Sequence, residues 1–260
     1  MKRLSRLLTI YAVAACLLVS RAGAQPAAPG SINAALRYWM AFALMKDPPD
    51  GRSGVTAAYL DRVAAGEAAW DNVQLGPILD DNREALEIMR RATQLTSCDW
   101  ALEYDLGPST PIAHLAKARV LGRLNAVSGA EFAARGDWST AVDVWLAGVR
   151  FSQHVASGGT LISLLSARLS LSPSLKSLVR AASQTAVDAA RRQQIAAVIG
   201  AIPEAGFDFA DAMRREADAL AVAKRLHPNL NAPMPSQAAV DRVANELRAE
   251  RRAVLDAVAK

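Results

Sequence analysis

The chain has 260 residues, 52% of them hydrophobic, with 30 basic and 25 acidic residues. A chain of this length can bury a sizeable core, so we expect one main folded domain. The first 24 residues hold four of the basic residues and no acidic one, which leaves 26 basic against 25 acidic residues in the remainder. The near-neutral remainder gives no support for a nucleic-acid-binding function.

The N-terminal region has the pattern of an export signal. An apolar run at residues 7–19 follows three cations and precedes small residues at 22–24. This pattern predicts a signal peptide at residues 1–24 and a mature protein that is periplasmic or secreted. The run is shorter than the roughly 20 apolar residues that a membrane-spanning helix needs. We therefore expect no transmembrane helix in the mature chain.

A lipoprotein signal is the alternative for the same region. Val13, Ala14 and Ala15 precede Cys16 as in a lipobox, which would make Cys16 a lipidated N-terminus. The apolar run continues through residues 17–19, where a polar tether would be expected. We therefore favour the cleavable signal peptide. Its removal leaves Cys98 as the single thiol, so no intramolecular disulfide is expected.

Apolar residues recur with helical period along the rest of the chain, and no segment alternates as a strand would. The prediction is an all-α fold of about eight helices, with a domain at residues 25–227. The first helix runs from a cap at Ser31 to Met45 and should be largely buried, because apolar residues surround it. Two further helices are predicted at residues 55–69 and 77–95.

Residues 110–157 predict a helical hairpin. Thr110 suits an N-cap and Pro111 the first helical position. The chain should reverse at residues 135–137, where Gly136 can adopt a left-handed conformation and Asp137 can cap the second helix. Small and large residues along the hairpin should pack into one another: Gly129, Phe132, Trp138, Ala141, Trp145 and Gly148.

The segment from Gly136 to Ala141, followed by Trp145, resembles the second half of a tetratricopeptide repeat. The resemblance implies an α-helical repeat fold and a surface that binds proteins or peptides. The hairpin departs from the repeat at Gln153, which stands where a Pro is usual, and at Asn125 and Ser128, which replace larger apolar residues. The chain is also similar to a group of uncharacterised exported bacterial proteins without known activity, through these residues: Asn33 to Leu36, Tyr38, Trp39, Cys98 to Trp100, Arg150, His154 and Thr160 to Ile162.

Beyond the hairpin, an apolar core helix begins at Thr160, and Pro173 should divide it from the next helix. Two more helices are expected near residues 187–202 and 209–220. A Pro-rich linker at residues 228–235 precedes an amphipathic helix at residues 236–260. That helix carries Val240, Leu247 and Val254 at heptad spacing, interrupted by Glu250. It either docks on the body of the protein or forms a homodimer contact.

The chain contains no phosphate loop, zinc-protease motif or nucleophile elbow. The candidate site residues are Cys98, Asp99, His114 and His154. His114 precedes the hairpin turn by about 33 Å of helix and His154 follows it by about 26 Å, so both should lie at the same end. The segment 96–108, which contains Cys98 and Asp99, enters at that end.

Cys98 and the two histidines could therefore line one pocket that binds a soft divalent metal or pairs a thiolate with an imidazole. The alternative is that the histidines are ordinary packed residues and the loop closes the ends of neighbouring helices. We assign no catalytic, cofactor-binding or metal residue. The favoured function is an interaction module of the bacterial envelope with a protein or peptide partner. The alternative is a metal-binding protein or enzyme of the envelope.

Overall fold

The computed structural model describes residues 32–46, 55–103, 106, 110–226 and 235–260. Within these ranges the regular structure consists of ten α-helices and no strand, which confirms the all-α prediction and corrects the expected count of eight. The predicted signal peptide, Cys16 and residues 228–234 of the predicted linker lie outside the described ranges. The helices are α1 Ala34–Leu44, α2 Ala57–Ala65, α3 Asn72–Asp81, α4 Arg83–Ala92, α5 Ala113–Ala134, α6 Trp138–Ala156, α7 Leu161–Ala182, α8 Ala189–Ala201, α9 Phe209–Leu226 and α10 Gln237–Val258.

The α5–α6 hairpin forms as predicted and packs with α7 into the centre of the fold. Gly136 takes a φ of 79° at the turn, and the Asp137 side chain accepts the backbone N–H of Thr140 at 3.0 Å. Gly129 faces Trp145 so closely that a Cβ would lie 2.2 Å from the indole nitrogen. The expected fit of small residues against large ones is therefore present.

Two helix starts differ from the sequence prediction. The N-cap of α1 is Asn33, whose side chain accepts the N–H of Ala35, whereas the expected cap Ser31 lies outside the described residues. The helix α5 begins at Ala113, after Thr110 and Pro111. The Thr110 hydroxyl instead donates to the carbonyl oxygen of Glu103 at 2.8 Å, so it fastens the preceding loop.

The single helix predicted at residues 77–95 is wrong, because the chain breaks at Asn82 into α3 and α4. Asn82 is buried, and its side chain donates to the carbonyl of Ile78. The same side chain accepts the backbone N–H of Lys46 at 2.9 Å. These bonds satisfy backbone groups at the break and tie it to the end of α1.

The predicted division at Pro173 is also wrong, because α7 continues through it to Ala182. A proline inside a helix removes one backbone hydrogen bond. Burial of Leu171, Leu175 and Leu178 on either side offsets that loss. The helix is a core element on one face only, since three apolar side chains on another face are 38–47% exposed: Ile162, Leu165 and Leu169.

The C-terminal helix α10 packs against α7 and α8. Its heptad residues Val240, Leu247 and Val254 are at most 4% exposed. Glu250, which interrupts the apolar series, accepts a hydrogen bond from the Ser172 hydroxyl at 2.7 Å. The docked alternative is therefore confirmed, and the seam proposed for a homodimer is covered by the protein's own body. None of the described helices has the length and apolar character needed to span a membrane.

Candidate functional site

Trp100 is the centre of the region that contains the candidate residues. Its indole N–H donates to the backbone carbonyl of His154 in α6 at 2.7 Å. Its ring stacks on His114 of α5, with 4.4 Å between ring centroids, and on Tyr38 of α1 at 5.7 Å. The prediction that both histidines and the Cys98 loop meet at one end of the hairpin is therefore confirmed.

Cys98 is held by the backbone at the C-terminal end of α6. Its thiol donates to the carbonyl oxygen of His154 at 3.6 Å, and the Ser157 hydroxyl donates to its carbonyl at 2.9 Å. Burial, together with the nearby charge of Asp99, raises the pKa of Cys98 to about 11. The thiol is therefore neutral at physiological pH and is a poor nucleophile in this position.

The imidazole of His154 is engaged by a different partner. Its Nδ1 lies 2.7 Å from the hydroxyl oxygen of Tyr38. Burial lowers the pKa of His154 and raises the pKa of Tyr38. Both groups are thus kept neutral, so the tyrosine hydroxyl donates to the imidazole nitrogen. This hydrogen bond joins α1 to α6.

His114 is a packed core histidine, 1% exposed. Its ring lies between Trp100 and Trp39, whose ring centroid is 6.3 Å away. Its Nε2 atom is buried and forms no hydrogen bond with any of the described residues, and burial lowers its pKa to about 4. An imidazole in such surroundings stays neutral, because water cannot stabilise the charged form.

Asp99 fixes the conformation of the loop. Its carboxylate accepts the backbone N–H of Ala101 at 2.8 Å, which holds Ala101 at a φ of 51°. A left-handed conformation of this kind costs a non-glycine residue about 1 kcal/mol. The backbone of Asp99 also forms two hydrogen bonds with the Asn33 side chain, at 2.7 and 2.9 Å. One asparagine thus caps α1 and anchors the loop.

The four candidate residues are therefore close together but do not form a set of metal ligands. Across the described ranges, no three His, Cys, Asp or Glu side chains are grouped so that they could hold a metal ion. Within the same ranges no hydrogen bond joins the Cys98 thiol to either imidazole. The arrangement favours a structural role, in which the loop is fastened across α1, α5 and α6.

No protein-family model, curated protein or solved structure gives a significant match to this chain. The similarity of the α5–α6 hairpin to a tetratricopeptide repeat therefore stays a prediction. So does the proposed grouping with exported bacterial proteins. The role of any surface must be inferred from its own geometry and chemistry.

The outer side of α1 is the most apolar exposed surface of the described helices. The prediction that this helix is largely buried is wrong, because only one of its two apolar sides packs on the protein. Tyr38 and Phe42 on the inner side are at most 5% exposed. The outer side and Ile32, which lies just before the helix, form what we call the α1 face. Its five residues are 43–63% exposed: Ile32, Leu36, Trp39, Met40 and Leu44.

The charge on α1 is entirely positive. The helix contains no acidic residue, and Arg37 is exposed beside the α1 face, where its guanidinium contacts the Met40 sulfur at 3.9 Å. In the described part of the chain Arg37 forms no ion pair, whereas Lys46 at the end of the helix pairs with Asp81 at 2.8 Å. The α1 face is thus an apolar ridge beside the positive charge of Arg37. No carboxylate of the described residues pairs with that charge.

Proposed function

We propose that this protein is an interaction module of the bacterial envelope that binds a partner protein or peptide through the α1 face. The observation that carries the proposal is the exposure of four large apolar side chains on the outer side of α1 and of Ile32 just before it. A contiguous apolar patch on a protein surface is typical of an interaction site. The export signal predicted at residues 1–24 supports a periplasmic or secreted location, or attachment through Cys16 in the lipoprotein alternative.

The spacing of the α1 face favours a helical partner. Leu36, Met40 and Leu44 follow one another every four residues and form a ridge of the kind that packs between the side chains of a second helix. Ile32 lies just before the N-cap Asn33 and extends the apolar surface beyond the helix. The ridge from Leu36 to Leu44 extends over about 12 Å. Among the described residues, Arg37 beside it has no carboxylate partner. The partner segment is therefore an amphipathic helix with an apolar side and an Asp or Glu beside it.

A second copy of this chain fits the α1 face poorly. Pairing of two α1 helices about a two-fold axis would place both Arg37 side chains in one interface. The helix supplies no carboxylate to balance them. The positive charge therefore favours a different protein over self-association.

The test begins with a photo-crosslinking amino acid placed at Leu36 of the full chain in its native envelope. The expected product is a protein joined through an amphipathic helix that contains Asp or Glu. Binding of that purified protein should weaken at least about tenfold in the double variant L36D/M40D, because two charges would be buried without partners. The matched control is I162D/L169D, which changes two apolar residues on α7 that are each 47% exposed and should bind normally.

Three results would overturn the proposal. Crosslinks that reach only lipid, together with binding to phosphatidylglycerol vesicles that L36D/M40D abolishes, would make the α1 face a membrane contact. Crosslinks only to a second copy would make it a homodimer contact. Equal binding of the partner to L36D/M40D and to the native sequence would place the interaction elsewhere.

A further inference from the structure

A cleft of about 390 Å³ lies between the C-terminal end of α2 and the turn of the α5–α6 hairpin. Its walls are mostly alanine side chains together with the indoles of Trp70 and Trp138, and Arg180 of α7 and Glu67 supply its charged groups. It is remote from the α1 face, because α1 packs beside His114 and His154 at the opposite end of the hairpin. The size is that of a site for a small molecule or a short chain end.

Arg180 enters this cleft with most of its hydrogen-bonding capacity unused. Its Nε is buried and donates to no acceptor in the part of the chain that the structure describes. The only hydrogen bond of its guanidinium to the described residues is a long one, 3.4 Å from a terminal nitrogen to the Ser177 hydroxyl. The described part of the chain supplies no carboxylate within ion-pair distance. By contrast, another partly buried arginine, Arg90, donates to Asn125 and Ser128 at 3.0 and 2.7 Å.

The guanidinium is nevertheless held in place by its surroundings. Its central carbon lies 5.8 Å from the centroid of the Trp145 ring, within the range of a cation–π contact. On the other side it contacts Gly66, where a Cβ would lie 1.4 Å from a guanidinium nitrogen. The glycine is needed for this approach and also for its own φ of 75°. The result is a fixed cation at the wall of an apolar cleft.

We infer that this cleft binds a carboxylate attached to an apolar group. A planar guanidinium with free N–H groups matches the two oxygens of a carboxylate. The indoles of Trp70 and Trp138 and the alanine side chains provide the apolar surface for the rest of the ligand. The carboxylate of Glu67 at the cleft lies 3.6 Å from the Lys176 amine, which balances its negative charge. A free organic acid and the C-terminus of a peptide share this chemistry.

The experiment uses two acids and their neutral counterparts. The probes are N-acetyl-leucine and the peptide Ser-Gly-Ser-Gly-Ala-Ala-Leu with a free C-terminus, each compared with its C-terminal amide. Binding is followed by tryptophan fluorescence and by the NMR signal of the Arg180 Nε–H group. Each acid should bind about tenfold or more tightly than its amide, since a hydrogen-bonded charge pair is lost with the amide. The acid should also shift the Arg180 signal.

Variants assign the binding to the cleft. R180M should weaken binding of the acids about tenfold or more, and R119M, at an exposed arginine of α5, should leave it unchanged. Because R180M also alters packing against Trp145, A134L serves as a second variant that narrows the cleft while keeping the guanidinium. It should weaken binding without removing the Arg180 signal.

The pattern across the probes separates the two sources of the carboxylate. Binding of N-acetyl-leucine but not of the peptide supports a free acid, and binding of both supports a chain end. Equal affinity for acid and amide, binding of inorganic phosphate alone, or full binding by a folded R180M protein would each overturn the inference. None of these outcomes depends on the α1 face.

Discussion

The Cys98 thiol points to the backbone of His154 and not to its side chain. The sulfur lies 3.6 Å from the His154 carbonyl oxygen, while the His154 imidazole is bonded to Tyr38 at 2.7 Å. A cysteine nucleophile is activated by a base beside its sulfur or by a lowered pKa. The two residues are therefore neighbours that share a backbone contact and have separate partners.

The first prediction concerns the reactivity of Cys98. With a pKa of about 11, compared with about 8.5 for a free cysteine, the thiol should react with iodoacetamide at pH 7.5 at least about tenfold more slowly than free cysteine does. The rate should rise steadily up to pH 9. Mass spectrometry of the Cys98 peptide measures it, and the C98A variant identifies that peptide. A rapid reaction that is already maximal at pH 7 would instead indicate a thiolate.

The second prediction concerns His114 and pH. Its pKa is about 4 in the folded protein, against about 6.5 in the unfolded chain. Between these values the unfolded chain binds a proton that the folded protein does not, so the free energy of unfolding falls as the pH decreases. The stabilisation is complete above pH 6.5 and is lost as the pH approaches 4. Its contribution between pH 7.5 and pH 5 is about 2 kcal/mol.

Urea unfolding of the native sequence and of H114F at the two pH values checks this prediction. Phenylalanine keeps an aromatic ring against Trp100 and cannot be protonated. The loss of stability on going to pH 5 should therefore be smaller in H114F by about 2 kcal/mol. His154, whose pKa burial also lowers, is present in both proteins and cancels in the comparison. An identical pH dependence in both would show that His114 does not resist protonation.

The third prediction concerns Arg90, which forms hydrogen bonds with two buried polar residues of the otherwise apolar hairpin. Asn125 and Ser128 are 0 and 4% exposed, and both accept hydrogen bonds from the Arg90 guanidinium. Burial lowers the pKa of Arg90 to about 10, so it remains charged at pH 7. R90M would leave two buried oxygens without donors and should lower the free energy of unfolding by about 2–4 kcal/mol.

The neighbouring variant R91M is the matched control, because Arg91 is exposed on the same helix. It should change the free energy of unfolding by no more than about 0.5 kcal/mol. Both values come from chemical denaturation at pH 7. Similar effects of the two variants would mean that the bonds to Asn125 and Ser128 contribute little.

Local features of the fold could be predicted from the sequence. The turn is predictable because Gly136 can adopt a left-handed conformation and Asp137 can cap the next helix. Helix geometry then places His114 and His154 at the same end of the hairpin, because their distances from that turn are similar. The same reasoning placed the Cys98 loop there. Arg180 and Tyr38 were not among the candidate residues, since nothing in their local sequence distinguishes a buried cation or a buried hydroxyl from an exposed one.

The sequence by itself determined the helical class of the fold and which sides of its helices are apolar, because both depend on neighbours within a few turns. The break at Asn82 and the continuation of α7 through Pro173 depend on contacts with other helices. Only the tertiary structure decided which apolar sides are covered. In α1 the sides of Tyr38 and Leu36 look alike in the sequence, yet one is buried and the other is 63% exposed. In the same way, Arg90 satisfies Asn125 from a distant helix. Burial of a side depends on which distant segment of the chain packs against it, and the periodicity of apolar residues within one helix does not specify that segment.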